Sequence, residues 1–506
     1  MDDARENTGR KLGQLLAGIA DHELPAAACE RRVTGVFDDS RRVQPGGVFV
    51  ALQGTQADGR RYLGDALQRG AAVLIGEDLQ PTGDALVVSV PDARTALARL
   101  AVRWHGLDDA AASPLHLLGI TGTNGKTTAA FMTQAILRAA GLRCGMLGTV
   151  HRDLYGRRVA AEMTTPGPLE LTACLRDCRA AGAQVVVMEV SSHALAQRRT
   201  EGLQFRAAAF TNLTQDHLDY HGTMDAYCAA KRRLFTGLDE AAVAVVNRDD
   251  RYHEVLLGGC RARVVTYALD GDADVTAQIV REGLAGTVYR LRLGGAEFVL
   301  GSALAGRHNV YNALAAASLA RALGTPTEAI ERGLSAVRSV PGRLQRVACL
   351  PGVEVVVDYA HTPDALRNIV GVLKPLTRGR LIVVFGCGGD RDRLKRPLMA
   401  QAAAELGDMM VVTSDNPRSE DPQQIIADVL EGFDAAARRR VRVEPDRGRA
   451  IRAALAAAGE GDVVLIAGKG HESCQVVGGR RLPFDDVEVA MQVAAGLPAP
   501  QGGGIR

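Results

Sequence analysis

The sequence has few aromatic residues and no long apolar run, and these absences exclude whole classes of protein. Only 4% of its 506 residues are Phe, Trp or Tyr, and its net charge is +2. Because it lacks a basic patch interleaved with aromatic side chains, we expect no nucleic-acid partner. No apolar run approaches the roughly 20 residues of a membrane-spanning helix, so we expect no membrane partner either.

Cysteine is also scarce, and its spacing does not suggest a metal site. The nine cysteines are scattered, and Cys174 and Cys178, four residues apart, have no Cys or His pair nearby. Reduced thiols are therefore expected. The first residues, Met1 to Glu6, are polar and acidic and lack the apolar segment of a secretory signal. We expect a monomeric, cytoplasmic protein whose partners are small molecules.

The length of the chain exceeds what one hydrophobic core normally supports, and short apolar strands alternate with helices along it. This pattern predicts an α/β fold with three domains. We expect a small N-terminal α/β domain over residues 1–112, and the polar segment 107–114, which ends in proline, reads as a linker before the next strand. A central P-loop nucleotide-binding domain with a mostly parallel sheet should cover residues 113–340. A C-terminal Rossmann-like domain should cover residues 341–506.

A glycine-rich loop is the strongest functional signal. The run Gly122-Thr123-Asn124-Gly125-Lys126-Thr127-Thr128 lies between an apolar strand, predicted over 115–120, and a helix predicted over 127–140. Backbone N–H groups in such a loop turn toward an anion, Lys126 can reach the outer phosphates, and Thr127 can ligate Mg2+. The loop predicts binding of a nucleoside triphosphate. Ile120 stands where the generic pattern has glycine.

Polar residues follow the predicted strands of the central domain. Glu189 ends an apolar strand predicted to begin at Val185, where a second acidic Mg2+ ligand of a phosphate-loop enzyme would stand. A later loop, 212–222, contains two histidines and two aspartates, including Asp216 and His217. Taken singly, such residues are usually a solvated carboxylate or a structural histidine, but together they favour a metal or phosphate role. Lys231, on a helix predicted over 224–235, reads from spacing alone as a solvated residue.

Several motifs in order resemble the ATP-dependent Mur ligases of peptidoglycan precursor synthesis. They are Gly122 to Thr128, Glu189 to His193, Asp216 to Gly222, Lys231, Gly306 to Asn312, Pro341 to Leu344 and Asp358 to Asp364. The resemblance covers the whole chain. It implies three domains for UDP, ATP and an incoming amino acid, with ATP and Mg2+ used to form an acyl phosphate.

The resemblance also implies the site residues. Those expected to contact ATP are Gly122, Thr123, Asn124, Gly125, Lys126, Thr127, Thr128, Asn309, Arg343 and Asp358. Those expected to contact the UDP-muramoyl dipeptide are Ser40, Thr55, Gln56, Ala57, Thr164, Thr165, Ser191, Gln197 and Arg199. Those expected to hold metal are Thr127, Glu189, His217 and a carbamylated Lys231. Lys126, Lys231 and His217 are the expected catalytic residues.

The incoming amino acid is indicated by the segment Asp415-Asn416-Pro417-Arg418. It resembles the motif of members that add meso-diaminopimelate rather than L-lysine to the D-glutamate carboxylate of UDP-N-acetylmuramoyl-L-alanyl-D-glutamate. An arginine fork can bind the distal carboxylate that lysine lacks. The expected diaminopimelate contacts are Arg391, Asp415, Asn416, Pro417, Arg418, Gly468 and Glu472.

Three other activities are compatible with parts of the sequence. An L-lysine-adding ligase of the same family is disfavoured by Arg418. A folylpolyglutamate synthetase would share the ATP-binding core, but the N-terminal region and the segment 415–418 argue against it. A nucleotide-dependent switch would turn over nucleotide without acceptor or amino acid.

Overall fold

The computed structural model describes residues 9–20, 24–54, 57–81, 83–109 and 113–497. Three main sheets follow one another along the chain. In this described part, none of the helices combines the length and the apolar character that crossing a membrane requires.

The first sheet is small and parallel. Its region contains β1 Arg10–Lys11, α1 Leu12–Leu16, α2 Ala26–Glu30, β2 Arg32–Val33, β3 Val36–Phe37, β4 Val48–Val50, α3 Leu63–Gln68, β5 Val73–Gly76, β6 Leu86–Ser89 and α4 Ala93–Trp104. The four parallel strands run in the order β3-β4-β5-β6, and β1 pairs with β2 separately. Short 3-10 helices at Ser40–Arg42 and Gly59–Tyr62 follow β3 and β4. The alternating strands and helices confirm the α/β character predicted for this region.

The second sheet has eleven strands. Its region contains β7 His116–Thr121, α5 Lys126–Ala139, β8 Cys144–Leu147, β9 His151–Asp153, β10 Arg158–Ala160, α6 Pro168–Ala180, β11 Val185–Glu189, α7 Ser192–Ala196, β12 Phe205–Phe210, α8 Leu218–His221, α9 Met224–Thr236, β13 Val243–Asn247, α10 His253–Leu257, β14 Arg263–Ala268, β15 Val275–Gly283, β16 Gly286–Leu293, β17 Ala296–Ser302, α11 Arg307–Ala322 and α12 Thr327–Ala336. The strand order is β10-β9-β8-β11-β7-β12-β13-β14-β15-β16-β17. Pairing is parallel from β8 to β15 and antiparallel at both edges, so the sheet is mostly parallel, as predicted.

Helices cover both faces of this sheet. Along β11, Val185 and Val187 pack into one apolar cluster with residues of α5 and α11, whereas Val186 and Met188 pack into another with residues of α6 and α9. A strand buried on both faces needs apolar residues at every position, which is why β11 reads as an unbroken apolar run. Polar residues can therefore enter only at the strand ends.

The third sheet is also mostly parallel. Its region contains β18 Gln345–Val347, β19 Glu354–Asp358, α13 Pro363–Leu373, β20 Leu381–Phe385, α14 Lys395–Leu406, β21 Met409–Val412, α15 Pro422–Leu430, α16 Ala435–Arg438, β22 Val441–Val443, α17 Arg447–Ala457, β23 Val463–Ala467, β24 Cys474–Val477, β25 Arg480–Pro483 and α18 Asp486–Ala495. The order is β18-β19-β23-β20-β21-β22, with only β18 antiparallel, and β24 and β25 form a separate hairpin. The fold class is confirmed as α/β with mostly parallel sheets.

Candidate functional site

The phosphate loop turns at two glycines. Gly122 has φ +150° and Gly125 has φ +87°, and a Cβ atom on them would lie 1.9 Å from Thr211 Oγ1 and 2.2 Å from Asn312 Oδ1. Both positions therefore need glycine for backbone conformation and for space. Ile120 is fully buried within β7. The generic first glycine is absent because the chain is still a core strand at that point.

Lys126 begins α5 and folds back over the loop. Its Nζ donates to the carbonyl oxygens of Gly122 at 2.9 Å and Thr123 at 2.7 Å. Burial lowers the pKa of Lys126, and the nearby carboxylates of Glu189 and Asp216 oppose that shift. The ammonium thus lies at the loop that its residue type predicts will bind phosphates.

Glu189 ends β11 beside the first turn of α5. Its Oε2 accepts hydrogen bonds from Thr127 Oγ1 at 2.9 Å and Thr149 Oγ1 at 3.0 Å, and its Oε1 accepts from the Thr149 amide at 2.8 Å. The side chain is 1% exposed. Carboxylate and hydroxyl oxygens are ligands that Mg2+ prefers, so Thr127 and Glu189 suit that ion. Within the described residues, no three or more His, Cys, Asp or Glu side chains form a group that could hold a metal. The expected set is not such a group, because two of its four members, Thr127 and Lys231, are other residue types.

His217 lies in the loop before α8, with its backbone in the left-handed region at φ +54°. Its Nε2 is 3.4 Å from Asp216 Oδ2, and its ring is 4.7 Å from that of His193. Burial lowers the pKa of His217 to about 4, whereas Asp216 acts in the opposite direction. A neutral imidazole is the form that binds metals.

Lys231 is 1% exposed. The prediction from spacing alone, that it is a solvated helix residue, is therefore wrong. Its Nζ donates to the Gly122 carbonyl at 2.8 Å and lies 4.5 Å from the ring centroid of Tyr227. Burial, and then the neighbouring Lys126, lower the pKa of Lys231 well below its usual value. Only a neutral amine can add CO2, and this environment favours the neutral form.

A cavity of about 640 Å³ lies between the second and third sheets. Predicted site residues that line it are Thr123, Asn124, Gly125, Lys126, Thr127, Thr128, Thr164, Glu189, His217, Asn309, Arg343 and Asp358. In open α/β sheets ligands bind at the carboxyl ends of the strands, and Glu189, Asn247 and Asp358 supply those ends here. Gly122 and Lys231 are not among the lining residues.

The third region reaches the phosphate loop directly. Arg343 Nη2 is 3.2 Å from Thr127 Oγ1, and its guanidinium lies 4.8 Å from the ring centroid of Tyr359. Asp358 accepts from the amides of Leu344 at 2.7 Å and Ala360 at 2.8 Å, and burial raises its pKa. Asp358 therefore holds the backbone that carries Arg343. On α11, Asn309 Oδ1 accepts from Asn312 Nδ2 at 3.1 Å.

The residues expected to contact the muramoyl dipeptide come together beside Glu189. Thr165 Oγ1 donates to the Glu189 carbonyl at 2.9 Å and accepts from the Ser191 amide at 3.0 Å. Arg199 donates to the Thr165 carbonyl at 2.7 Å and to Gln197 Oε1 at 2.8 Å. Thr164 Oγ1 is 3.0 Å from Thr149 Oγ1.

The residues expected to contact UDP lie beside the first sheet. Ser40 is buried at the start of a 3-10 helix, and Ala57 is exposed, with its carbonyl accepting from the Gly54 amide at 2.9 Å. Thr55 and Gln56 lie outside the described residues.

Most residues expected to contact the amino acid surround Asp415. This residue is 8% exposed, and its Oδ2 has no hydrogen-bond partner among the described residues. Gly468 approaches so closely that a Cβ atom there would lie 2.7 Å from Asp415 Oδ2. Asn416 Nδ2 donates to Glu472 Oε2 at 2.8 Å. An unpartnered buried carboxylate oxygen is suited to an ammonium group.

The two arginines expected at this site differ in their surroundings. Arg418 has φ +53°, and its Nη1 donates to the Gly389 carbonyl at 2.7 Å. Pro417 joins Arg418 to Asn416, and its carbonyl packs against Gly389. Arg391 is exposed and donates to the Asp390 carbonyl at 3.1 Å. The structure thus gathers Asp415, Asn416, Gly468 and Glu472 at one place and leaves Arg391 in solvent.

Sequence reasoning missed three residues that the structure places at these sites. Thr149 donates twice to Glu189, Tyr359 lies under Arg343, and Lys469 is fully buried against Asn416 and Glu472. Tyr359 lies inside the motif Asp358 to Asp364, and Lys469 lies between the expected contacts Gly468 and Glu472, which was the available signal. Nothing in the local sequence marks Thr149.

Comparisons with known proteins cover nearly the whole chain. Residues 32–105, 120–320 and 342–470 match models described as "Mur ligase family, catalytic domain", "Mur ligase middle domain" and "Mur ligase, glutamate ligase domain". The UDP-N-acetylmuramoyl-L-alanyl-D-glutamate--2,6-diaminopimelate ligase of Solibacter usitatus is 46% identical over 489 residues, 96% of this chain and 98% of that protein. A solved structure of a ligase of that name shares 35% identity and a TM-score of 0.69, covering 96% of this chain and 99% of the other. The MurF ligase of Thermotoga maritima in complex with ADP, at 20% identity, has a TM-score of 0.58 over 91% of this chain and 96% of its own.

Proposed function

The chain belongs to the Mur ligase family, and from this premise we propose the reaction that it catalyses. It is an ATP-dependent ligase that adds meso-diaminopimelate to the D-glutamate side-chain carboxylate of UDP-N-acetylmuramoyl-L-alanyl-D-glutamate. ADP and phosphate are released, and the product is a precursor of peptidoglycan. The observation that carries this proposal is the 46% identity, over 96% of this chain, to a ligase named for these substrates.

The first step activates the acceptor carboxylate. ATP binds on the loop Gly122 to Thr128, where Lys126 and the N-terminus of α5 provide positive charge beside the phosphates. The D-glutamate carboxylate attacks the γ-phosphorus, an O–P bond forms, and ADP leaves. Arg343, from the region of the third sheet, lies 3.2 Å from Thr127 and adds a further positive charge beside the phosphate loop.

Mg2+ is proposed as the cofactor. Oxygens of Thr127 and Glu189, together with His217 and a carbamylated Lys231, would hold the ion, which supplies positive charge next to the phosphates. The direct contact between Thr127 and Glu189 supports the first pair. Burial of Lys231 supports carbamylation, which converts an amine into a carboxylate-like group and leaves one N–H to donate to the Gly122 carbonyl.

The second step forms the amide. The neutral amine of meso-diaminopimelate attacks the acyl carbon, a C–N bond forms, and phosphate leaves from the tetrahedral intermediate. Because an acyl phosphate hydrolyses if water reaches it, carboxylate, phosphate and amine must meet in a closed site. The Arg343–Thr127 contact and the 2.8 Å hydrogen bond from Thr214 to Asp364 support such closure.

The substrates are proposed to divide among three domains. Residues 1–112 bind UDP through Ser40, Thr55, Gln56 and Ala57, residues 113–340 bind ATP, and residues 341–506 bind the amino acid. The dipeptide contacts Thr164, Thr165, Ser191, Gln197 and Arg199, whose mutual hydrogen bonds and nearness to Glu189 support this role. Three separate sheets support the division.

Amino-acid recognition is proposed at the loop that follows β21. The distal ammonium of diaminopimelate contacts Asp415, whose Oδ2 is unpartnered, and Glu472. The distal carboxylate accepts from Arg418, with Arg391 at the rim. Asn416, Pro417 and Gly468 shape this pocket. We also propose that the enzyme acts as a monomer in the cytoplasm, where ATP and the UDP-linked precursor are available.

Product formation tests the proposal. Phosphate release is measured with ATP, UDP-N-acetylmuramoyl-L-alanyl-D-glutamate and meso-diaminopimelate together, and with each substrate omitted in turn. Steady release should require all three, and mass spectrometry should show the tripeptide. Steady turnover of ATP without acceptor and amino acid would instead identify a nucleotide-dependent switch.

A further inference from the structure

Lys469 follows β23 and is one of only six lysines in the sequence. Its side chain is completely buried. The ammonium donates to Glu472 Oε2 at 3.0 Å, to Asn416 Oδ1 at 3.2 Å and to the Cys474 carbonyl at 2.7 Å. A lysine ammonium has three donors, and three acceptors satisfy them all. Its partners fix this buried charge in one place.

These contacts orient both recognition side chains. Asn416 Oδ1 accepts from Lys469 and from the Val476 amide at 2.9 Å, which forces its amide nitrogen toward Glu472, where Nδ2 donates at 2.8 Å. Glu472 Oε2 thus takes two hydrogen bonds inside the protein. Glu472 Oε1 has no protein hydrogen bond among the described residues, and it remains available for a ligand.

The hairpin β24–β25 connects Lys469 to Arg418. The Arg418 amide donates to the Val476 carbonyl at 2.9 Å, and the Gly478 amide donates to the Arg418 carbonyl at 2.7 Å. Lys469 holds the start of the same hairpin through the Cys474 carbonyl. The lysine, the carboxylates and the arginine therefore belong to one connected unit.

The charges of this unit balance. Asp415 and Glu472 are negative, Lys469 and Arg418 are positive, and the nearby buried Arg447 is neutralised by Asp486 at 2.7 Å. Tyr359 faces the same charges: burial is the main cause that raises its pKa, Glu472 and Asp415 raise it further, and Arg343 and Arg418 oppose the shift. A pocket without net charge suits a group without net charge.

The two competing amino acids differ in the net charge of their distal ends. The distal end of meso-diaminopimelate carries one ammonium and one carboxylate, whereas the distal end of L-lysine carries an ammonium alone. A lysine side chain would satisfy an acidic oxygen but leave the Arg418 guanidinium without its anion. Removing the Lys469 charge would leave the pocket net negative and favour the cationic chain.

We infer that Lys469 is a specificity-determining positioning residue, which neutralises Glu472 and orients Asn416 so that the pocket prefers a zwitterionic distal end over an ammonium alone. It acts through these two partners. This inference rests on the proposed function, because it concerns how that reaction selects its amino acid.

The test compares kcat/KM for meso-diaminopimelate and for L-lysine in the wild type, Lys469→Met, Lys469→Arg and Lys374→Met. The last is a matched control, because Lys374 pairs with Asp408 at 2.5 Å elsewhere in the same domain. Lys469→Met should lower the diaminopimelate-to-lysine ratio about tenfold or more, through KM for diaminopimelate. Lys469→Arg and Lys374→Met should stay within about threefold of the wild type.

Acyl phosphate formation separates a specific effect from misfolding. Trapping with hydroxylamine in the absence of amino acid should give wild-type yields in Lys469→Met. An equal loss with both amino acids, or an equal ratio change in Lys374→Met, would overturn the inference. If Lys469→Met does not fold, Lys469→Arg decides: a preserved ratio supports the role of charge, and a collapsed ratio overturns it. A wild type that does not use meso-diaminopimelate would overturn the proposed function itself.

Discussion

Thr127 donates its hydroxyl hydrogen to Glu189 across 2.9 Å, which joins the first turn of α5 to the end of β11. The glutamate is 1% exposed and has no Arg or Lys ion pair among the described residues. Such a carboxylate is costly to bury unless it serves a cation that arrives with the substrate.

If Glu189 is the Mg2+ ligand proposed above, Glu189→Gln should reduce acyl phosphate formation by about 100-fold or more, because the negative charge of that ligand is lost. The Mg2+ concentration for half-maximal rate should rise. Glutamine fills the same volume, so the melting temperature should change little. Glu254→Gln, at a side chain that is 86% exposed, is the control. An unchanged Mg2+ dependence in Glu189→Gln would contradict the assignment.

The activity should depend on CO2 through Lys231. Enzyme stripped of CO2 at mildly acidic pH should lose about 10- to 100-fold in rate, because the proposed carbamate, a metal ligand, would revert to an amine. Adding bicarbonate should restore the wild type. Lys231→Met should be inactive and should not respond. A wild-type rate that is independent of bicarbonate would exclude a catalytic carbamate.

Replacing Arg418, which is half-buried, with alanine should weaken selection of meso-diaminopimelate over L-lysine by roughly 2 to 5 kcal/mol, because the distal carboxylate loses its charged partner. The measurement is the ratio of kcat/KM values for the two amino acids. Arg438→Ala, which removes an exposed arginine of the same domain, should leave the ratio unchanged. An unaltered ratio in Arg418→Ala would show that the guanidinium does not read the distal carboxylate.

Acid should destabilise the protein in part through His308 on α11. Burial lowers the pKa of His308 to about 4, whereas a histidine in the unfolded chain has a pKa of about 6.5. Between these two values the unfolded chain binds a proton at this residue and the native state does not. The contribution of His308 to the free energy of unfolding is complete above pH 6.5 and is lost as the pH falls toward 4. His308→Asn should therefore lose less unfolding free energy over this window, by roughly 1 to 2 kcal/mol after allowance for solvent. Urea titrations at pH 7 and pH 5 test it, and parallel losses in both proteins would contradict it.

Much of the fold could be predicted from the sequence. Strand β11 covers Val185–Glu189, as predicted, because a buried parallel strand is an unbroken apolar run. The meander β15–β17 was not predicted. Its signals were present, since apolar and polar residues alternate along 289–293 and Gly294-Gly295 turns the chain into β17.

The candidate site was predictable where a motif fixes local geometry, as at Gly122 and Gly125. Lys231 and Lys469 could not be understood from spacing, because burial of a lysine depends on segments distant in sequence. Gly122 is 109 residues from Lys231, and Asn416 is 53 residues from Lys469. Only the folded chain shows that these two ammonium groups are enclosed and what they contact.

Competition between the two amino acids tests the proposed reaction. The enzyme receives ATP, UDP-N-acetylmuramoyl-L-alanyl-D-glutamate and equal concentrations of meso-diaminopimelate and L-lysine, and mass spectrometry measures the ratio of the two tripeptide products early in the reaction. The diaminopimelate product should dominate. A predominant lysine product, or ATP hydrolysis that yields neither, would contradict it.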